Sequence, residues 1–259
     1  GRLISFYLKN HKNAKNLNWA ISGRNQNKLQ SLSKELSFHK NIDYLIADSF
    51  DKTSLDLMCQ ASTLIISTVG PYSIYGKNLI EACINNKTHY LDLTGEPEFV
   101  NFVLQNYSEK ALKNNTLLIN CCGFESVIPD VGILYTSLKS KSALTHVDYY
   151  LQTKGQISGG TWASFLNSIN SKNKTPILKI KDNNPKKKSK KLFFNKRFNK
   201  WALFFPVIDK DIVRRSNAHS SLYSRSFKFS QFLLIGSFLK LISLISGFLF
   251  ILLCSKIKL

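Results

Sequence analysis

The sequence predicts an α/β protein: a Rossmann-type, doubly wound parallel sheet, followed by an α+β domain and a C-terminal hydrophobic helix. Three observations carry this. Helix-patterned and strand-like segments alternate without a break from residue 1 to 122, the pattern of a parallel sheet with helices on both faces. The stretch LIISTVGPYSIYGKNLIEACINNKTHYLDLTGEP, residues 64–97, holds one complete strand–turn–helix–strand unit. After Gly123 the alternation stops, and a period-two segment and a long apolar run take over.

The elements follow in order. Residues 1–11 place Leu3, Ile4, Tyr7 and Leu8 on one helical face. LNWAIS, residues 17–22, reads as a strand closed by Gly23-Arg24-Asn25. Leucines at 29, 32 and 36 mark an amphipathic helix over 27–38, and residues 42–47 form a strand ending at Asp48. Asp51 suits the N-cap of a helix over 54–60. The apolar, β-branched run from Leu64 to Val69 breaks at Gly70-Pro71, before a helix over 75–86 and a strand over 89–93. A helix over 97–114 and a strand over 116–120 complete the sheet.

Beyond it, a helix is expected over 128–138 and a half-buried strand over 144–153. Ser158-Gly159-Gly160-Thr161 opens a further helix, and the Lys-, Asn- and Pro-rich residues 170–200 read as a loop. The expected domains are therefore 1–122, with its first strand lying before Gly1; 123–230, with the basic loop; and a hydrophobic segment over 231–255. Both ends read as cut, and no signal-peptide pattern opens the chain.

Charge is unevenly spread. The net charge is +20, of which residues 1–170 hold +3 and residues 171–259 hold +17. The run Phe232–Leu253 reaches the about 20 residues that span a bilayer. Lys240 within it costs roughly 2.5–3.5 kcal/mol at a bilayer centre, offset by Leu, Ile and Phe neighbours at roughly −0.3 to −0.6 each. The Lys186–Lys191 cluster would add attraction to anionic lipid, about 1 kcal/mol per basic residue. A membrane or lipid surface is thus the expected partner. Nucleic acid is not, because no stacking motif accompanies the charge. The five cysteines include no Cys-x-x-Cys pair and no His at ligand spacing, so neither a metal nor a disulfide framework is expected.

A dinucleotide fold has a glycine-rich turn after its first strand and a ribose-binding residue about 20 positions on. Gly1 can be the last glycine of that turn. About 20 residues later the strand ends in Ser22-Gly23-Arg24-Asn25. A carboxylate there would bind an NAD ribose and repel a 2′-phosphate, whereas the guanidinium of Arg24, helped by Asn25 and Lys28, offers a fork to the phosphate. This points to NADP.

With these residues in view, the chain resembles the saccharopine dehydrogenase-like oxidoreductases. The branch it is most similar to holds bacterial trans-acting enoyl reductases and animal lipid-droplet proteins. The resemblance rests on WAISGRN (19–25), STVGPY (67–72), Tyr75-Gly76, YLDLTGEPEFV (90–100), CCGFES (121–126), SGGT (158–161) and VRRS (213–216). It implies a Rossmann NADP domain, a following α+β domain, and hydride transfer to an enoyl thioester or similar lipid intermediate. The expected cofactor residues are Gly1, Ser22, Arg24, Asn25, Asp48, Val69, Gly70, Pro71 and Tyr72.

Catalytic candidates are Tyr72 and Glu96, each with an ordinary alternative. Tyr72 and Tyr75 can donate a proton or simply pack, and Glu96 can act as an acid or complement a helix dipole. Asp92, Cys121, Cys122 and Asp130 are most simply structural. Three functions remain open. The first is NADP-dependent reduction of a lipid-linked substrate at the cytoplasmic face of a plasma membrane or on a lipid droplet. The second is a non-catalytic scaffold at such a surface. The third is a lysine-pathway saccharopine dehydrogenase, which would need clustered arginines where only Arg214-Arg215 is available.

Overall fold

Residues 1–37, 42–154, 159–170, 190–205, 207–219 and 227–256 are described by the structure, a computed structural model. The chain divides into two compact units: Gly1–Thr94 with Phe102–Asn120, and Gly95–Asn101 with the residues from Cys121 onward.

Unit 1 alternates helix and strand as the sequence predicts. Its elements are α1 (Arg2–Asn10), β1 (Ala20–Gly23), α2 (Gln26–Leu36), β2 (Asp43–Ile46), α3 (Lys52–Gln60), β3 (Leu64–Ser67), α4 (Tyr72–Asn85), β4 (His89–Asp92), α5 (Pro97–Lys113) and β5 (Leu118–Ile119). Asp51 caps α3 by accepting from Thr53 N at 3.0 Å. Helix α4 begins three residues earlier than its periodicity suggests, directly after its N-cap Pro71, where the fixed φ of proline already suits a helix entry.

All strand pairs in unit 1 are parallel: β1 with β2, β3 with β4, and β4 with β5. Among the described residues the ladders β2-β1 and β3-β4-β5 have β1 and β3 among their unpaired edges. In a doubly wound sheet the strand feeding the first helix lies between two such edges. Right-handed crossovers from β3 to β4 to β5 place α4 and α5 on the same face. Tyr90 is fully buried in register with Ile65, whereas Leu64, Ile66 and Ile119 on the opposite face are exposed. A second core joins Ile21, Leu29 and Leu36 with Phe6 and Trp19, uniting α1, β1 and α2.

Unit 2 comprises α6 (Phe124–Lys139), β6 (His146–Leu151), α7 (Gly159–Asn170), β7 (Leu192–Asn195), β8 (Lys200–Phe204), α8 (Asp209–His219), β9 (Lys228–Ile235) and α9 (Phe238–Lys256). Its sheet runs β6-β9-β8-β7, with β6 parallel to β9 and the other pairs antiparallel. Ile133 of α6, Val213 of α8 and Phe227 and Phe229 at β9 make its core.

Three expectations change here. The stretch read as a loop over 170–200 contains β7 and starts β8; its residues 171–189, and Ser158, lie outside the described residues. Their hairpin turns where Arg197 N donates to Asn195 Oδ1 at 3.0 Å and Asn199 takes φ 51°. Helix α6 starts four residues earlier than expected and holds Pro129 inside it. The apolar run 232–253 is not one helix. Phe232 to Ile235 belong to β9, all four paired with β8 and the first two also with β6. Gly236 and Ser237 break the run, and Ser237 Oγ accepts from Lys240 N at 3.3 Å to start α9. Among the described residues no helix is long and apolar enough to cross a membrane.

Ile80 of α4 is fully buried while Leu57 of α3 is exposed. Ile80→Ala is expected to cost about 2–5 kcal/mol and Leu57→Ala much less, read from urea denaturation midpoints.

Candidate cofactor site

Parallel strands present their carboxyl ends along one edge of a sheet, where α/β proteins bind ligands. In unit 1 those ends are Ser22–Asn25 after β1, Asp48 after β2, Thr68–Tyr72 after β3 and Asp92–Thr94 after β4. Gly1 joins them. A Cβ on Gly1 would sit 3.3 Å from Thr68 Oγ1, so the start of α1 lies against the end of β3 with room for little more than glycine.

The N-terminus of α1 has no side-chain cap and no acidic residue in its first turn. The first turn of α2 also lacks acids, and Asn25 caps that helix by accepting from Lys28 N at 3.0 Å. Each helix start therefore keeps its positive end available to an anion. Arg24 stands exposed just ahead of α2, and no described carboxylate pairs with it. Ser22 Oγ donates to Leu45 O at 3.0 Å, and Ala47 N to Gly23 O at 3.1 Å, which bind the ends of β1 and β2 together. Asp48 Oδ1 accepts from Phe50 N at 2.9 Å and holds the turn into α3. These groups suit a nucleotide carrying an added phosphate dianion, and no described carboxylate forms an ion pair with Arg24.

At the end of β3, Val69 is exposed and Gly70-Pro71 is a cis peptide. Tyr72 is buried; its hydroxyl donates to Ser67 O at 3.2 Å and accepts from Leu93 N at 3.4 Å, tying β3 to β4. Tyr75 stacks edge-on against Phe50 at 5.5 Å. Asp92 is wholly buried. Its carboxylate accepts from Tyr90 Oη at 3.0 Å, Thr94 N at 3.0 Å and Asn120 Nδ2 at 2.6 Å. Burial, and then the Asp92 charge, push the Tyr90 phenol well above its ordinary pKa.

Glu96 belongs to unit 2. It is buried at the start of α5 and accepts from Ser164 Oγ at 2.9 Å. The structure thus gathers the expected cofactor residues in unit 1, while the two catalytic candidates fall in different units. Thr68 and Asn120 were not singled out from the sequence. Their one signal is position, each directly following a strand.

Unit 2 has a buried polar network that the sequence does not display. Asp209, the first residue of α8, accepts from Ser126 Oγ at 2.7 Å and from Gln231 Nε2 at 2.8 Å. Burial raises the Asp209 carboxyl, and those two hydrogen bonds oppose it. Glu125 is raised by burial and then by the Asp209 charge. A Cβ at Gly123 would lie 2.6 Å from Glu125 Oε1, so glycine makes room for that carboxylate. Asp130 lies inside α6 rather than at its cap, and Ser216 Oγ donates to it at 2.9 Å. Among the described residues, no cluster of His, Cys, Asp and Glu can hold a metal.

A dinucleotide-binding α/β protein of Rossmann type, taking NADP, is the class this edge defines. Residues 1–119 match the saccharopine dehydrogenase NADP-binding domain, and the chain is similar to proteins named saccharopine dehydrogenase-like oxidoreductase. The Rattus norvegicus protein of that name is 28% identical over 91% of this chain and 60% of its own length. A Caenorhabditis elegans lipid droplet localized protein is 26% identical over 85% of this chain and 57% of its own. A Mycobacterium tuberculosis protein, provisionally named a trans-acting enoyl reductase, is 28% identical over 84% of this chain and 59% of its own. The chain therefore spans about 60% of the rat relative's length. The family resemblance and the NADP cofactor expected from the sequence are both borne out.

A carboxyl raised in the folded state stabilises it fully below the ordinary carboxylate pKa of about 4, and that contribution is lost as pH rises through the raised value. Unit 2 is therefore expected to lose stability as pH climbs out of the range near 4. Asp209→Asn should flatten that slope, measured as urea unfolding across a pH series.

Proposed function

We propose that the protein is an NADP-dependent reductase of a lipid-linked enoyl thioester or related unsaturated intermediate. The observation that carries this is Arg24, exposed with no ion pair among the described residues, just ahead of the acid-free first turn of α2, together with the uncapped start of α1. NADPH held at this edge would supply the hydride, and an enoyl thioester would take it up with one proton to give the saturated thioester and NADP⁺. The chain's own residues bind and orient. The starts of α1 and α2 would hold the phosphates, Arg24 would hold the 2′-phosphate, and the Gly70-Pro71 turn would line the nicotinamide ribose. Tyr72 and Glu96 remain the candidate proton donors. Each is already hydrogen-bonded within its unit, so donation would draw on a bond that substrate replaces. The C. elegans and M. tuberculosis relatives, by their names, support a lipid setting and an enoyl substrate.

A second reading, a lipid-surface scaffold, is favoured by α9. Leu239 and Phe250 on that helix are 78% and 68% exposed, which suits an interfacial helix. Such a scaffold would bind vesicles and no nucleotide.

Titration of NADPH and NADH against the full-length protein separates the readings, and binding of neither ends the reductase proposal. Arg24→Ala is expected to weaken NADPH about ten- to hundredfold, the range of a lost charge-assisted hydrogen bond, while leaving NADH nearly unchanged. Equal loss for both cofactors would remove the role given to Arg24. Deleting residues 238–256 should abolish co-sedimentation with vesicles containing anionic lipid if α9 is the lipid contact.

A further inference from the structure

Helices α3 and α4 pack against each other, and each carries one cysteine in its last turn, Cys59 and Cys83. Both are fully buried, and their sulfurs lie 3.7 Å apart although the residues are 24 positions apart in the chain. A free buried cysteine is ordinarily a small hydrophobe, and nothing in that role requires two of them to meet. Here the backbone holds them together. Buried Thr88 donates its N–H to Cys83 O at 2.8 Å and its hydroxyl to Cys59 O at 2.8 Å. Asn86, the C-cap of α4, donates from Nδ2 to Asp56 Oδ1 of α3 at 2.8 Å. The two helix ends are thus pinned to one another and to the entry of β4.

We propose that Cys59 and Cys83 form a redox-active pair, which a hydroperoxide closes to a reversible disulfide joining α3 to α4. Bridging needs the sulfurs to approach by about 1.7 Å, to a bond of about 2.05 Å, a movement on the scale of side-chain rotation. The carbonyls on Thr88 can stay where they are.

The thiolate is the nucleophile in this chemistry. The hydrogen bond from Cys83 lowers the Cys59 thiol, against burial and the Asp56 charge. The same bond, with burial, raises Cys83. Cys59 is therefore the attacking sulfur and Cys83 the resolving one. The Cys59 sulfur takes one oxygen from hydrogen peroxide, becoming a sulfenic acid and releasing one water. The Cys83 sulfur then displaces that oxygen as a second water and forms the S–S bond. Two thiols give up two electrons and two protons, and one peroxide becomes two waters. Because neither sulfur is exposed, the oxidant enters only on local opening of the helix ends, and closure is slow.

The pair lies away from the cofactor edge. Helix α4 starts at that edge with Tyr72, and Cys83 sits about 16 Å further along it. The bridge therefore restrains the unfolded chain and stabilises unit 1, and it stands apart from the reductase reading.

The test treats the full-length protein with hydrogen peroxide, then denatures, alkylates with iodoacetamide and digests it without reduction. Mass spectrometry is expected to find the Cys59 and Cys83 peptides joined, and dithiothreitol to separate them. The oxidised protein should melt about 5 °C or more above the reduced one. Both readouts use the unsubstituted chain and need no variant to fold. Cys83→Ala should show no such rise and should leave Cys59 as a sulfenic acid that dimedone labels, whereas Cys59→Ala should leave Cys83 unlabelled. Cys59 and Cys83 both recovered singly alkylated after prolonged peroxide overturns the proposal. So does either one found joined to a different cysteine, or a bridged protein that melts no higher than the reduced one.

Discussion

A carboxylate with no exposure to water must be met by donors or it will not stay buried. Asp92, at the carboxyl end of β4, is met by Tyr90, Thr94 and Asn120. Those contacts reach within its own strand, into the following turn and across to the end of β5. The carboxyl edge of the sheet therefore has one arrangement rather than several. The Tyr72 hydroxyl extends the same order to β3 through Ser67 and Leu93. The edge that receives a nucleotide is held by bonds the nucleotide does not need to supply.

The same order extends to the base of the exposed Arg24. Arg24 follows β1, whose end is fastened to β2 through Ser22 and Ala47. Asn25 fixes the start of α2 one residue later. The guanidinium thus leaves a rigid base beside a helix start that carries partial positive charge. An acidic neighbour would cancel this, and the first turns of α1 and α2 contain none.

Unit 2 solves the same burial problem with acids that lean toward their neutral form. Asp209 sits wholly buried between Ser126 and Gln231, and Glu125 lies close enough to feel its charge. Its helices also show more apolar surface than one core can use. Both α6 and α9 bury one side, at Ile133 and Leu241, and expose bulky side chains on another.

The βα alternation of unit 1, the Asp51 cap and the location of Arg24 were legible in the sequence. Each depends on local periodicity, a single capping bond or spacing along the chain, all of which survive without tertiary contacts. The split of Phe232–Leu253 between β9 and α9 was not legible, because apolar residues suit a central strand as well as a lipid-facing helix. Only pairing with β6 and β8, from distant sequence, makes the first four a strand. Likewise β7 and β8 were hidden among lysines and asparagines, and Asp209 meets Ser126 across 83 positions. Composition and period determined which elements form and where the cofactor edge lies. Long-range hydrogen bonding and burial decided which polar groups on that edge are structural, because those partners are set by the folded sheet and not by neighbours in the chain.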